Sequence, residues 1–352
     1  MGATQLDRPT RPPARTARRR RITGLGLLAA TLLLAAALSL FVGARALTFD
    51  EVRQGLTAAP DPDQRATEIR LIVQNVRVPR TVLAIIAGLA LGVGGALIQG
   101  YTRNPIADTG LLGLNSGASF AVVSAISFLG FANPFQYVWF ALLGAALTGA
   151  LVFGLSSIGR GTGDPLTLAL TGQGVAVFFA AMTTLIALSD REALNALRFW
   201  NAGSVAGVPF EVIWPLTLFI LAGLTLALIT LPAVNLLTMG DDVARGLGVN
   251  LPLVRSVGIL AITLLAGAAT AACGPIAFLG LMVAHLARNL AGPDYRWLVP
   301  YAGLLGGIVL LLCDIVGRLV VQPGELEAGV LVALLGAPFF ALLVRRGKFT
   351  NA

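Results

Sequence analysis

The sequence predicts an all-α integral membrane protein with ten transmembrane helices per subunit. Apolar residues make up 56% of its 352 residues and charged residues only 12%, about half of the roughly 25% typical of soluble domains. The apolar residues are also concentrated in runs of about 20, the length that a helix needs to cross a bilayer. A water-soluble enzyme is excluded, because its surface would lack the charge that solubility requires.

Apolar runs separated by short polar or glycine- and proline-rich pieces give the predicted spans. In chain order the ten spans are 22–43, 81–100, 111–130, 135–157, 166–188, 211–231, 256–272, 275–291, 298–317 and 328–344. We therefore expect one transmembrane domain over residues 22–346, with a basic arm at 1–21 and a short tail at 347–352.

The first run is predicted to stay in the membrane. Residues 22–43 carry no charge, and the run is longer than the roughly 7–15 apolar residues of a signal peptide. The sequence at 44–46 loosely resembles a signal-peptidase site, so cleavage is the alternative. The length of the run favours a retained first helix.

The distribution of basic residues predicts that both termini lie in the cytoplasm. Seven arginines fall within the first 21 residues. Such an arm is also compatible with nucleic-acid binding, but beside an apolar run it marks a cytoplasmic end. With ten crossings, 16 of the 25 basic residues lie on the cytoplasmic side. We expect a multi-pass protein of the cytoplasmic (inner) membrane, in contact with lipid and with no nucleic-acid partner.

The sequence contains no recognisable catalytic motif. It has no G-x-x-x-x-G-K-[ST] loop, no His/Cys cluster with metal-ligand spacing and no Ser-His-Asp arrangement. We therefore predict that the chain is not an enzyme and binds no cofactor or metal itself. Cys273 and Cys313 lie in apolar runs and are interpreted as small core residues.

Few ionisable residues fall within the predicted spans. Asp314 and His285 are candidate proton relays for a carrier driven by an ion gradient. Asp314 and Arg318 are four residues apart on one predicted helix, however, and this spacing favours an ion pair within that helix. An ion-gradient carrier is therefore the alternative from another functional class.

Two polar segments lie outside the predicted spans. Residues 48–80 are extracytoplasmic by the parity of the crossings, and residues 232–255 are cytoplasmic. In the second segment apolar residues recur at helical spacing, and glycines divide it into short helices. It is either a solvated loop or a docking element that offers an apolar face to another protein.

Short motifs are spread over about residues 20–346. They are Arg77-Val-Pro-Arg80, Gln99, Arg103-Asn-Pro-Ile-Ala-Asp108, Leu112-Gly-Leu-Asn-Ser-Gly-Ala118, Leu168-Ala-Leu-Thr-Gly172, Phe199-Trp-Asn-Ala-Gly-Ser204, residues 236–248, Gly274-Pro-Ile-Ala-Phe-Leu-Gly-Leu281, His285-Leu-Ala-Arg288, Asp314-Ile-Val-Gly-Arg318 and Gly336-Ala-Pro-Phe-Phe340. In this order they resemble the FecCD family of ABC importer permeases, the membrane subunits for iron–siderophore, haem and cobalamin uptake. The resemblance implies the type II ABC importer permease fold.

Two positions depart from the family pattern. Ala284 stands where the family usually has a proline before the histidine, and Glu327 stands where it usually has a proline after Glu-Leu. The first change removes a helix irregularity. The second places an additional acid near the outer rim, where the family pairs with its binding protein.

The resemblance implies a machine of several subunits. The permease pairs with a second permease subunit, identical or not, around a central pathway, and two separate ATP-binding subunits hold the ATP and magnesium. Residues 232–255 would hold the coupling helices. Those implied to dock on the ATPase are Gly240, Asp241, Ala244, Arg245, Leu247 and Gly248.

On the outer face, the resemblance implies that Arg77, Arg80 and Arg318 receive carboxylates from an extracytoplasmic substrate-binding protein. A planar guanidinium suits this role, because it holds a carboxylate with two hydrogen bonds. Anchoring at the membrane edge is the alternative for Arg77 and Arg80. A cytoplasmic gate is expected from its position at Gly161, Thr162 and Gly163.

The implied cargo is a ferric siderophore, with cobalamin or haem as alternatives. The pathway is expected to be lined by small and apolar side chains, because a tight chelating site would retain its cargo.

Overall fold

Long helices form nearly all of the structure, a computed structural model that describes residues 14–43, 45–57, 64–131, 133–158, 165–321 and 324–345. Within these residues no strand occurs. The α-helices are α1 (Ala14–Phe41), α2 (Phe49–Thr57), α3 (Gln64–Leu71), α4 (Val78–Thr102), α5 (Leu114–Leu129), α6 (Pro134–Ser157), α7 (Pro165–Ser189), α8 (Arg191–Ala202), α9 (Phe210–Leu237), α10 (Asp241–Gly246), α11 (Leu251–Cys273), α12 (Leu279–Ala291), α13 (Tyr295–Val320) and α14 (Ala328–Arg345). A π-helical turn, Ile72–Arg77, joins α3 to α4, and a 3-10 turn, Thr109–Leu112, precedes α5.

Each of the ten predicted spans coincides with a helix. In the described part of the chain, eight helices are long and apolar enough to cross a membrane. The third and eighth predicted spans correspond to α5, of 16 residues, and α12, of 13 residues. At about 1.5 Å per residue both helices are shorter than a hydrocarbon core of about 30 Å. The all-helical membrane fold is therefore confirmed, whereas ten complete spanning helices are not.

Irregular backbone precedes both short helices. Before α5 the chain leaves α4 through Arg103, whose φ of 50° is left-handed. Before α12 the residue Phe278 is also left-handed, with a φ of 65°. Backbone amides of Thr109 and Phe278 both donate to the carboxylate of Asp108, which is half-buried. One side chain thus ties the two irregular segments together inside the protein, where such backbone is tolerated in a membrane.

Helix α4 forms the centre of the bundle. It packs against α13, α11, α12 and α9, and most of its residues are buried. A Cβ added to Gly88 would lie 2.4 Å from the carbonyl oxygen of Gly306, and one added to Gly95 would lie 2.4 Å from the backbone of Gly280. Small residues therefore allow α13 and α12 to approach α4 by backbone contact, which is how membrane helices pack tightly.

The outer helices leave apolar surface uncovered. In an 18-residue apolar stretch of α7 only 11% of the residues are buried, and in one of α1 only 17%. Leu170, Val177 and Leu185 on α7 are more than half exposed. This surface fits lipid or another membrane helix rather than water.

Helix α8 is fixed at its first turn by Asp190. The Ser127 hydroxyl and the amides of Glu192 and Ala193 donate to this carboxylate and lower the pKa of Asp190. The side chain is thereby an N-cap that stays ionised and favours the helix start.

We predict that Gly95→Ala lowers the thermal unfolding midpoint of the detergent-purified chain, because the new methyl group meets the α12 backbone. Overpacking of this kind costs about 1–3 kcal/mol. The matched control is Gly154→Ala on α6, where an added Cβ meets nothing within 4 Å. Equal midpoints for the two variants would show that the α4–α12 contact is not tight.

Candidate functional site

The structure brings Arg77, Arg80 and Arg318 together at one end of the bundle; we call these three residues the arginine cluster. Arg77 ends the π-helical turn, Arg80 lies in the first turn of α4, and Arg318 lies in the last turn of α13. Their exposed fractions are only 5%, 5% and 1%. Three buried cations require compensation from nearby acceptors.

Two of the guanidiniums bind the C-terminal end of α1. Arg77 donates to the carbonyls of Val42 and Arg45, the latter at 2.7 Å. Arg318 donates to the carbonyl of Ser39 at 2.9 Å. The last carbonyls of a helix lack helical partners and carry partial negative charge, so cations are favoured there. A Cβ on Gly43 would lie 2.3 Å from the Arg77 guanidinium, so a larger residue there would require the guanidinium to move.

Two carboxylates complete the cluster. Asp314 is 1% exposed and pairs with both Arg318, one helical turn away, and Arg80, with an Nε–Oδ1 distance of 2.8 Å. Glu325 pairs with Arg80 from the loop between α13 and α14 and is 37% exposed. The Asp314–Arg318 pair confirms the prediction from their spacing.

A cleft of about 190 Å³ opens beside the cluster. Its polar lining comprises the three clustered arginines, Arg45 and Glu325. Glu325 is the most exposed acidic partner of the cluster. Another carboxylate can therefore replace it on Arg80 without uncovering the buried core.

The segment that follows α9 is shorter than predicted. Helix α9 continues to Leu237 with Pro232 inside it, and α11 begins at Leu251. The predicted coupling region 232–255 is thus reduced to residues 238–250, which hold one short helix, α10; we call this stretch the coupling segment. Gly240 and Gly248 have φ angles of 113° and 83°, which favour glycine at both bends.

The predicted docking residues divide into two groups. Arg245 and Leu247 are exposed, and so is Gly248, while Gly240 is half-buried. Ala244 is fully buried on the inward face of α10. Asp241 faces its own chain, where its Oδ2 lies 2.8 Å from Arg255. These two residues hold the coupling segment against the bundle instead of presenting it outward.

Exposed apolar side chains accompany Leu247 on the coupling segment. Leu247 is 61% exposed, Met239 64% and Val243 44%. The sequence alone does not identify Met239 as a docking residue, because an exposed methionine and an ordinary loop methionine have the same sequence signal. Exposed apolar side chains beside polar ones are typical of a protein-docking face.

A third feature is a cavity of about 340 Å³ where α6, α8, α9 and α11 meet. Aromatic side chains of Tyr137, Phe199 and Trp200 line it together with small residues such as Ser204 and Cys273. No group of three or more His, Cys, Asp or Glu side chains able to hold a metal ion occurs in the described residues.

Residues 31–346 match the FecCD transport family. The chain belongs to this family. It is 37% identical over 317 residues to the probable siderophore transport system permease protein YfiZ of Bacillus subtilis, covering 90% of this chain and 93% of that protein. It is 40% identical over 325 residues to the ferric enterobactin transport system permease protein FepD of Escherichia coli, covering 92% and 95%.

A solved structure agrees with the FecCD assignment. A transporter assigned to the metal-chelate type of ABC transporter, in an inward-facing conformation, superposes with a TM-score of 0.80. It is 30% identical and the match covers 92% of this chain and 99% of that chain. The predicted family and permease fold are thus confirmed.

Part of the predicted site of this FecCD-family chain lies beyond the structural description. The predicted gate residues Gly161, Thr162 and Gly163 fall outside the described residues. So do residues 1–13 of the arm and the whole tail at 347–352, whereas arginines 18–21 belong to α1. The docking roles of the arginine cluster and the coupling segment stay predictions.

We predict that Asp314→Asn strongly destabilises the detergent-purified chain. Removing one partner of a buried ion pair costs about 3–5 kcal/mol, and here two buried guanidiniums lose the same carboxylate. The control is Asp50→Asn, which breaks an exposed pair with Arg53 and should change the thermal midpoint little. An Asp314→Asn variant as stable as the control would contradict the assigned role.

Proposed function

We propose that this chain is the permease subunit of an ATP-driven importer that moves ferric siderophores across the cytoplasmic membrane. The observation that carries the proposal is the match over about nine-tenths of the chain to permeases named for siderophore transport. The helical bundle, with its uncovered apolar surface, supplies the membrane wall that such a subunit must form.

ATP is hydrolysed, in this proposal, by two partner subunits that hold the nucleotide and magnesium. They dock on the exposed face of the coupling segment, through Met239, Val243, Arg245 and Leu247. Asp241 and Ala244 act as positioning residues, because they fasten the coupling segment to α11 and to the bundle. Movement of the ATPase would then pass to α9 and α11, the two helices that the coupling segment connects.

In this proposal the arginine cluster lies on the extracytoplasmic side, where a substrate-binding protein docks. Arg80 and Arg103 lie at opposite ends of α4, so this orientation places the coupling segment in the cytoplasm together with both termini. The partner's carboxylate would enter the cleft beside Glu325 and reach Arg80. A second permease subunit covers the exposed apolar surface of α7 and closes the pathway, and lipid covers the rest.

The test is uptake of a radiolabelled ferric siderophore by liposomes that hold the chain, its co-purifying ATP-binding subunits and its binding protein. We expect accumulation that requires both ATP and the ATP-binding subunits. Uptake by the chain alone under an ion gradient would instead support a secondary carrier. Selective accumulation of labelled haem or cobalamin would support an ATP-driven importer but change its proposed cargo.

A surface variant sharpens that test. Leu247→Glu places a charge on the docking face without entering the core, so uptake and ATPase co-purification should fall together by at least about tenfold. Leu56→Glu, on the exposed face of α2, is the matched control. Full uptake by Leu247→Glu would remove the coupling segment from the ATPase interface.

We predict that Glu325→Gln tightens association with the binding protein about three- to tenfold. The neutral amide competes less well than a carboxylate for Arg80, so a partner's acid gains the site. Glu327→Gln is the control for simple removal of negative charge, since Glu327 has no ion pair among the described residues. Unchanged or weaker binding by Glu325→Gln, measured with immobilised nanodiscs, would exclude Arg80 as a docking contact.

A further inference from the structure

A second cationic cleft lies at the other end of α4, next to the coupling segment. It has a volume of about 360 Å³, and we call it the inner cleft. Its polar lining comes from Gln99, Arg103, Thr238, Arg288 and Tyr295. All of these residues lie at helix ends or in the turns that follow them, so the inner cleft opens at the end of the bundle and not on its lipid-facing side.

Arg288 is the unusual residue of the inner cleft. It is half-buried, yet it has no carboxylate partner within the described residues. Its Nη2 donates to the Gln99 side-chain oxygen at 3.4 Å and to the Tyr295 hydroxyl at 3.3 Å, both neutral acceptors at long range. Its Nε and Nη1 have no hydrogen-bond acceptor in the part of the chain that is described. A partly desolvated guanidinium with free donors favours an anionic ligand.

Arg103 adds a second, loosely held cation. It is 39% exposed, and its only ion pair within the described residues is with Asp241 at 3.6 Å. That carboxylate lies closer to Arg255, at 2.8 Å. The inner cleft therefore has two guanidiniums and only a share of one acid.

Helix capping does not account for these two cations. The carbonyls of Gln99 and Gly100 at the end of α4 accept from the amides of Asn104 and Arg103, and the carbonyl of Arg288 accepts from Gly292. The nearby acid Asp294 is used by Asn235 and by the first turn of α13. These three carbonyls and Asp294 thus have partners other than the two guanidiniums.

We propose that the inner cleft receives an acidic side chain of the ATP-binding subunit, held between Arg103 and Arg288. This inference rests on the proposed function, because it assumes that an ATPase docks on the adjoining coupling segment. Thr238, the first residue of that segment, lines the inner cleft, and Arg103 pairs with Asp241 at the start of α10. The surplus positive charge and this continuity favour an ATPase carboxylate over a lipid phosphate. The docked ATP-binding subunit would then contact α4 and α12 directly, in addition to α9 and α11.

The test places a carboxylate of this chain in the inner cleft, where it competes with a carboxylate of the ATP-binding subunit. Thr238 is exposed, so Thr238→Glu can place a carboxylate beside the arginines without disturbing the core, and Thr238→Gln is its neutral match. We expect Thr238→Glu to weaken binding of the co-purifying ATP-binding subunit by about tenfold relative to Thr238→Gln. Binding is measured to the full-length chain in nanodiscs of neutral phosphatidylcholine, at low and high salt.

A double-mutant cycle assigns the effect to the inner cleft. Arg288→Gln should weaken binding by a similar factor and reduce its salt dependence, and Thr238→Glu should add little on that background. Arg296→Gln, an exposed arginine nearby on α13, should change affinity less than twofold. Thermal unfolding of each variant checks that it is folded.

Three outcomes would overturn the inference. The first is equal binding by Thr238→Glu and Thr238→Gln. The second is a Thr238→Glu effect on binding that is just as large in the Arg288→Gln background. The third is an Arg288→Gln effect seen only in nanodiscs with anionic lipid, which would assign the inner cleft to a lipid phosphate. Loss of ATPase binding by the unaltered chain would instead defeat the proposed function. The two failures are therefore distinguishable.

Discussion

Helix α4 has almost no surface left for lipid, so its neighbours must reach it by backbone contact. Gly88 and Gly95 make this possible against α13 and α12. In a membrane, burial in lipid and burial against another helix have similar hydrophobic value, so close packing decides which helices associate. The small residues along α4 therefore determine the centre of the bundle, and the outer helices arrange themselves around it.

Both ends of this central helix carry charges whose partners come from distant elements. Arg80 at its start binds Asp314 on α13, and Arg103 after its end lies near Asp241 on α10. The first pair is tight and buried, whereas the second is long and partly exposed. The Arg80 end of the bundle is accordingly closed by a buried ion pair, while the ion pair at the Arg103 end is long enough to exchange partners. In the proposed function, this difference would let an ATPase move one end relative to the other.

The sequence predicted what depends on local pattern. Hydropathy located a helix in each predicted span, because lipid demands apolar side chains along a helix, but it did not show that α5 and α12 are too short to cross the membrane. The four-residue spacing of Asp314 and Arg318 predicted their ion pair. Contacts between distant residues had no such signal. Arg80 and Asp314 are 234 residues apart, and the left-handed φ of Phe278 that shortens α12 occurs at a residue type that rarely adopts it. Within the coupling segment, the sequence could not show that Asp241 faces inward and Arg245 outward.

Two arginine–asparagine pairs occur in the chain, at 103–104 and 288–289. Each follows or ends a helix rich in small residues, and the fold brings both arginines to the inner cleft. Keeping two cations near each other with a fraction of one acid costs electrostatic energy in the isolated chain. The arginine cluster avoids that cost with Asp314, Glu325 and the carbonyls of α1. The inner cleft has less negative than positive charge, so a partner that supplies a carboxylate would stabilise it.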